Sequence, residues 1–138
     1  MTGRVIDSLA DIGDEVEKGQ VLAKIDPEKY KLQLAQSKAE TARLSALLMN
    51  QELDLKRAEE LFKDNLVSAE MMDRSRAEFT ALKEQMNAAE ALLNNSKRLM
   101  RETEIKAPIK SKVSAKNIDV GDFVQTGVIV FELVDTNN

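Results

Sequence analysis

Adjacent carboxylates stand at Asp14-Glu15 and at Glu59-Glu60, the residue type a general acid–base dyad would use. Residues 27–104 carry 13 basic and 14 acidic side chains, so the acids of that stretch read as parts of a solvated, nearly balanced surface. The chain has six methionines, whose thioethers suit soft Cu(I). Met72, Met86 and Met100 fall on a regular apolar seam, where Met is ordinary core filler, and Met49 and Met71 lack a third soft ligand at helical spacing. There is no Cys and no His, which excludes Ser-His and Cys-His nucleophile pairs, disulfides, and thiolate or imidazole zinc sites. A net charge of −4 argues against nucleic acid as the main partner. Arg57, Leu61 and Ser68 remain. They offer a planar guanidinium fork, an apolar knob and a hydroxyl, and equally suit a solvated charge, a flanking core residue and a helix N-cap. No catalytic residue, cofactor ligand or metal ligand emerges, and the chain does not read as an enzyme.

The elements that must position these groups follow from where the residue types fall. The 138 residues suit one domain or one domain with an appendage. All five glycines lie in 1–26 and 105–138, together with 16 Val and Ile, whereas 27–104 holds only Val67 of that kind. Branched residues favour pleated strands, and straight-chain Leu, Ala, Glu, Lys, Gln and Met favour helix. The middle is therefore predicted to be helical and the ends to be strands, with Asp26-Pro27 as an N-cap and N1 pair at the first joint. Tyr30, Leu34, Ser37, Thr41, Leu44, Leu48, Gln51, Leu55, Ala58 and Phe62 alternate spacings of four and three. After a break, Met72, Ser75, Phe79, Leu82, Met86, Ala89, Leu93, Ser96 and Met100 do the same. A sustained 3.5-residue period is the mark of a coiled coil. The break at 63–68 predicts a short connection with Ser68 as N-cap, hence an antiparallel hairpin with a thin, partly polar seam.

The two ends repeat each other. At one offset of 108, Val5 aligns with Val113, Gly13 with Gly121, Asp14 with Asp122, Val16 with Val124, Gly19 with Gly127, Leu22 with Val130 and Ile25 with Leu133. A single copy of this strand–turn–strand unit is too small to bury a core. Two copies face to face can form a small pseudo-symmetric sandwich. The predicted fold class is α+β: a small β-sandwich of two half-motifs, 1–26 and 105–138, with the hairpin of 27–104 inserted between them.

The segments Ile12-Gly-Asp-Glu-Val-Glu-Lys-Gly-Gln-Val-Leu22 and Val120-Gly-Asp-Phe-Val-Gln-Thr-Gly-Val-Ile-Val130 resemble the two halves of a lipoyl/biotinyl domain. With a helical hairpin between them and Ile105-Lys-Ala-Pro108 after it, residues 3–135 resemble the periplasmic adaptor, or membrane fusion protein, family of bacterial tripartite efflux pumps. Arg57, Leu61 and Ser68 fit that family's tip pattern of Arg, three residues, Leu, six residues, Ser. The resemblance implies a non-enzymatic bridge, without cofactor, between an inner-membrane transporter and a TolC-like outer-membrane channel docked on Arg57, Leu61 and Ser68. It further implies self-association into a ring in the full-length protein. The location implied is the periplasm, with the full-length protein attached to the inner membrane and this portion soluble.

The arm length resembles the branch paired with resistance-nodulation-division (RND) transporters, although adaptors of ABC-type macrolide or type I secretion exporters share the tip pattern. A biotinyl/lipoyl carrier subunit and a generic coiled-coil scaffold are the other readings. In a carrier, the modified lysine sits at an exposed turn between the halves. Lys29 of Asp26-Pro-Glu-Lys29 instead enters the first helix, which favours an ordinary surface lysine. Two departures from the family are visible. The expected Pro-x-x-Gly reads Pro108-Ile-Lys-Ser111, predicting a looser backbone approach there. The flanking β-barrel, the membrane-proximal regions and the strand before Gly3 lie outside this sequence, which reads as an excised portion starting at an added Met1.

Overall fold

A computed structural model describes residues 2–125, 127 and 129–135 of the chain. The elements run β1 (Gly3–Ser8), β2 (Glu15–Val16), β3 (Val21–Ile25), α1 (Glu28–Lys63), α2 (Ala69–Glu102), β4 (Glu104–Lys106), β5 (Ser111–Lys116), β6 (Phe123–Val124) and β7 (Phe131–Asp135). They divide into two compact units, Met1–Lys31 with Arg98–Asn138, and Leu32–Lys97.

The strand unit holds a four-stranded sheet in the order β4-β3-β1-β6 and a three-stranded sheet in the order β2-β5-β7. The order shows that the halves exchange strands. β2 of the first half pairs antiparallel with β5 of the second, Val16 opposite Ser111, and β6 pairs with β1, Gly3 opposite Val124. The Gly-Asp turns make the same exchange. Gly13 N–H donates to the Val113 carbonyl at 2.9 Å, and Val113 N–H returns a bond to the Asp14 carbonyl at 2.9 Å. In the other copy, Gly121 N–H donates to the Val5 carbonyl and Val5 N–H to the Asp122 carbonyl, both at 2.8 Å. Gly13 and Gly121 take φ of 93° and 97°, a region L side chains avoid, which is why both copies need glycine there.

The core follows the same two-fold logic. One cluster is built on Val5, Ile25, Ile118 and Val124, the other on Ala10, Val16, Leu22 and Val113, with partly buried Ile105 and Phe131 packed against both. Val5, Val16, Leu22 and Val113 are all no more than 1% exposed. Burial of such side chains contributes about 1.5–3 kcal/mol each. Tyr30 ties the start of the chain to this unit: its hydroxyl donates to the Thr2 carbonyl at 2.6 Å and accepts from Thr2 N–H at 3.2 Å.

The Pro108-x-x-Ser111 departure has a structural answer. Ser111 is fully buried in β5, and its hydroxyl donates to the Ile109 carbonyl at 3.0 Å, so the serine is accommodated there with its polar group satisfied. At the equivalent place in the first half, a Cβ on Gly3 would lie 2.5 Å from Cγ2 of Ile25. Offset by 108, the residue answering Ile25 is Leu133, which lacks the Cβ branch that a side chain at Gly3 would meet.

Still within the strand-containing unit, α1 begins where Asp26 Oδ1 accepts the N–H of Glu28 at 3.1 Å, as an N-cap does, and its residues from Leu32 onward belong to the other unit. Ser37 and Ser96 share a hydrogen bond at 2.9 Å across the seam, and Gln51 Nε2 donates to Glu78 Oε2 at 3.3 Å. These bonds fix an antiparallel register in which Leu44, Met72, Ala89 and Ser96 are buried. Most other seam residues are half-buried, as expected of two helices with a thin contact.

Candidate docking site

The connection between the helices is a closed, capped turn. Asn65 has φ of 56° and is the one non-glycine residue with positive φ among those described. Leu66 N–H donates to the Leu61 carbonyl at 2.8 Å and Asn65 N–H to the Phe62 carbonyl at 3.0 Å. These are the two bonds of a Schellman motif, with Asn65 in the left-handed position that ends a helix. The chain restarts at once: Ser68 Oγ accepts from Met71 N–H at 3.1 Å, and the Ser68 carbonyl accepts from Met72 N–H at 3.1 Å. Asn65 thereby closes α1 and Ser68 opens α2, with Val67 between the two caps.

The three residues singled out in the sequence lie around this turn. Arg57 projects from the last turns of α1 with its side chain 71% exposed, and a loose ion pair to Asp54 at 3.5 Å is its described partner. Such an exposed pair is worth little, so the guanidinium retains its donors. Leu61 lies one helical turn later and is half-buried, with its carbonyl engaged in the cap. Ser68 is exposed and serves as N-cap, which leaves its hydroxyl proton able to donate outward. The structure thus places Arg57, Leu61 and Ser68 at one end of the hairpin.

Sequence reasoning passed over the apolar surface beside them. Leu66 is 68% exposed, Met71 57% and Phe62 41%. Phe62 holds the last seam position of α1, where the seam runs out and one side of the ring faces solvent. An Asn followed by two apolar residues just after a helix was the available signal for Leu66, because the left-handed cap turns the chain outward there.

The other candidates do not converge on a site. Asp14 Oδ2 accepts the N–H of Asp11 at 2.8 Å, and its copy Asp122 Oδ2 that of Asp119 at 2.9 Å, so these carboxylates stabilise turns. Lys29 lies within α1, its Nζ 5.7 Å from the centre of the Tyr30 ring. Met72 is buried, while Met86 and Met100 are half-buried along the seam. Glu40 is held below the usual carboxylate range by its hydrogen bond with Arg43 at 2.7 Å, on an exposed face of α1 remote from the turn. A hollow lined by Ile12, Lys112, Ser114 and Val134 on the strand unit is open and apolar, and the Ser114 hydroxyl is already donated to the Glu132 carbonyl. No helix among the described residues is long and apolar enough to cross a membrane.

A pseudo-symmetric strand unit with a helical hairpin spliced between its halves is the architecture of membrane fusion proteins. A family model described as "RND MFP, barrel-sandwich hybrid domain" matches residues 1–136. The chain belongs to this family of RND membrane fusion proteins. It is similar to the multidrug resistance protein MdtA of Photorhabdus laumondii, 36% identical over 115 residues that make up 83% of this chain and 29% of the relative. MdtA of an Escherichia coli strain is 34% identical over 115 residues, 83% of this chain and 28% of the relative. The chain thus spans under a third of the length of the curated relatives it matches. Among solved structures, a putative efflux transporter from Bacteroides eggerthii superposes with a TM-score of 0.68 at 25% identity, covering 99% of this chain and 37% of that one. The membrane fusion protein Spr0693 of Streptococcus pneumoniae superposes at 0.71 with 18% identity, covering 99% of this chain and 56% of that one, and shows the shared fold.

Proposed function

We propose that this chain is the lipoyl-like and hairpin portion of a periplasmic adaptor. In the whole protein it bridges an RND-type inner-membrane transporter to a TolC-like outer-membrane channel, and the pump exports drugs. The work is assembly, with no bond made or broken. The hairpin turn is the docking element: Arg57 grips carboxylates or helix-end carbonyls, Leu61 gives an apolar contact and Ser68 a short polar one. Neighbouring copies associate into a ring in the whole protein, which is attached to the inner membrane.

The observation that carries this reading is the turn. Among the described residues Arg57 has only a loose ion-pair partner and reaches solvent from the last turns of α1, just before a connection capped at both ends. A docking element needs that combination, because preorganisation lowers the ordering cost of binding. Drug export by the full-length protein carrying Arg57→Asp, or Leu61→Ser, tests it. Export should fall to the level of a strain lacking the adaptor, at unchanged expression and helicity. Export at the wild-type level by both variants would leave Arg57 and Leu61 as ordinary hairpin residues.

A further inference from the structure

The hairpin turn carries the same chemistry twice. On α1, Arg57 stands one helical turn before Leu61. On α2, Met71 stands one turn before Arg74, so the order is reversed as the chain runs back. Gln51 reaches across the seam to Glu78 at 3.3 Å. The flank of α1 that carries Asp54 and Leu61 therefore borders the same side of the hairpin as the flank of α2 that carries Met71, Arg74 and Glu78. Met71, 57% exposed, stands with Leu66 and Phe62, 68% and 41% exposed, as a group of apolar side chains at the turn end of the hairpin. Arg74 is 67% exposed, and its pairing with Glu70, itself 85% exposed, is loose at 3.7 Å. Arg57 with Asp54 at 3.5 Å is alike. Both guanidiniums thus keep donors to offer, at separations too long for good internal hydrogen bonds.

Building on the docking reading above, we infer that Met71 and Arg74 form a second half of the docking surface, matching Leu61 and Arg57 across Ser68. The occupant this pattern fits is the helical mouth of an outer-membrane channel. Charge complementarity argues for it: two planar forks flanking an apolar strip call for acceptors on both sides of an apolar groove. A pair of helix ends supplies that, with carbonyls and carboxylates beside packed side chains. The Asn65 and Ser68 caps give both helix ends defined local backbone, which lowers what the turn must order on binding.

Binding of the 138-residue chain to a purified TolC-like channel in detergent tests this, with variants of equal charge change compared on one helix. Arg74→Glu and Met71→Ser should each weaken binding at least tenfold. Arg76→Glu, two residues on and so on the opposite flank of α2, should change it less than twofold. Retained helicity confirms that each variant folds, and both charge reversals fall at solvent-exposed positions of α2. If Arg57→Asp abolishes binding while Arg74→Glu and Met71→Ser bind as wild type, the second half is refuted and the docking reading stands. Equal losses from Arg74→Glu and Arg76→Glu would reduce the effect to net charge and refute it too. A wild-type chain that ignores the channel but binds vesicles of anionic phospholipid would overturn both.

Discussion

Single residues decide where this chain can be changed. Gly3 is one such place, because a Cβ there would press on Cγ2 of Ile25 inside a core with no slack. Gly3→Ala is expected to destabilise the chain by about 1–3 kcal/mol, the usual cost of overpacking. Pairing it with Ile25→Leu should recover part of the loss, since leucine lacks the offending branch. Urea melts of the single and double variants check this, and additive losses would show that the clash is not with Ile25. Asn65 is a second such place. Its left-handed conformation costs a branched side chain roughly 1–2 kcal/mol. Asn65→Val should therefore lower the melting midpoint, whereas Asn65→Gly should leave it close to wild type. Both positions expose what the sequence could and could not disclose. The Gly-Asp repeats were legible because two copies stood at one offset. The role of Gly3 was not, because it depends on a neighbour 22 residues away whose branching matters only after folding.

At the scale of elements, the helices were the most legible part. A seam of alternating spacing needs no tertiary knowledge, and the boundaries at Asp26-Pro27 and Ser68 are local cap chemistry. The seam's energetics were less legible, because burial along it is uneven. Leu44 is 4% exposed, yet Leu48 and Leu55, at chemically identical positions, are only half-buried. Two helices alone cannot enclose every seam residue, and the register set by Ser37–Ser96 puts Leu44 opposite small, buried Ala89. Leu44→Ala is therefore expected to cost about 2–5 kcal/mol and Leu48→Ala clearly less. Equal costs in thermal melts would mean the seam is uniformly packed. The Ser37–Ser96 bond lies two turns before Leu44 on the same seam and has a different part to play. A hydroxyl pair stabilises by only about 1 kcal/mol net, but leaving one hydroxyl without its partner costs about 1–3 kcal/mol. Ser96→Val alone should thus hurt more than Ser37→Val with Ser96→Val together, and chemical denaturation of the three variants measures that order.

At the scale of the whole molecule, the strand exchange ties the first residues of the chain to the last. β1 finds β6 as its outer partner, and the turn of the first half bonds to Val113. Neither half therefore closes its own backbone hydrogen bonds, and an unpaired buried group costs about 1–3 kcal/mol. A chain ending at Glu104 would leave the amide and carbonyl of Val5, and the amide of Gly13, without these partners. It would also bare Val5, Val16 and Ile25, each now no more than 2% exposed. At about 1.5–3 kcal/mol per aliphatic side chain, the combined loss reaches the 5–15 kcal/mol that a whole small domain has to spare. Residues 1–104 should accordingly lose strand structure, with the amide resonances of Val5, Val16 and Ile25 collapsing into the unfolded envelope. Adding residues 105–138 as a separate peptide should restore dispersion for those same three amides, because the lost contacts are all noncovalent. Strand signal that survives in residues 1–104 alone would show that each half folds by itself and that the exchange is ornament on a unit already stable. The repeat would then be a record of duplication only, with no energetic hold of one half on the other.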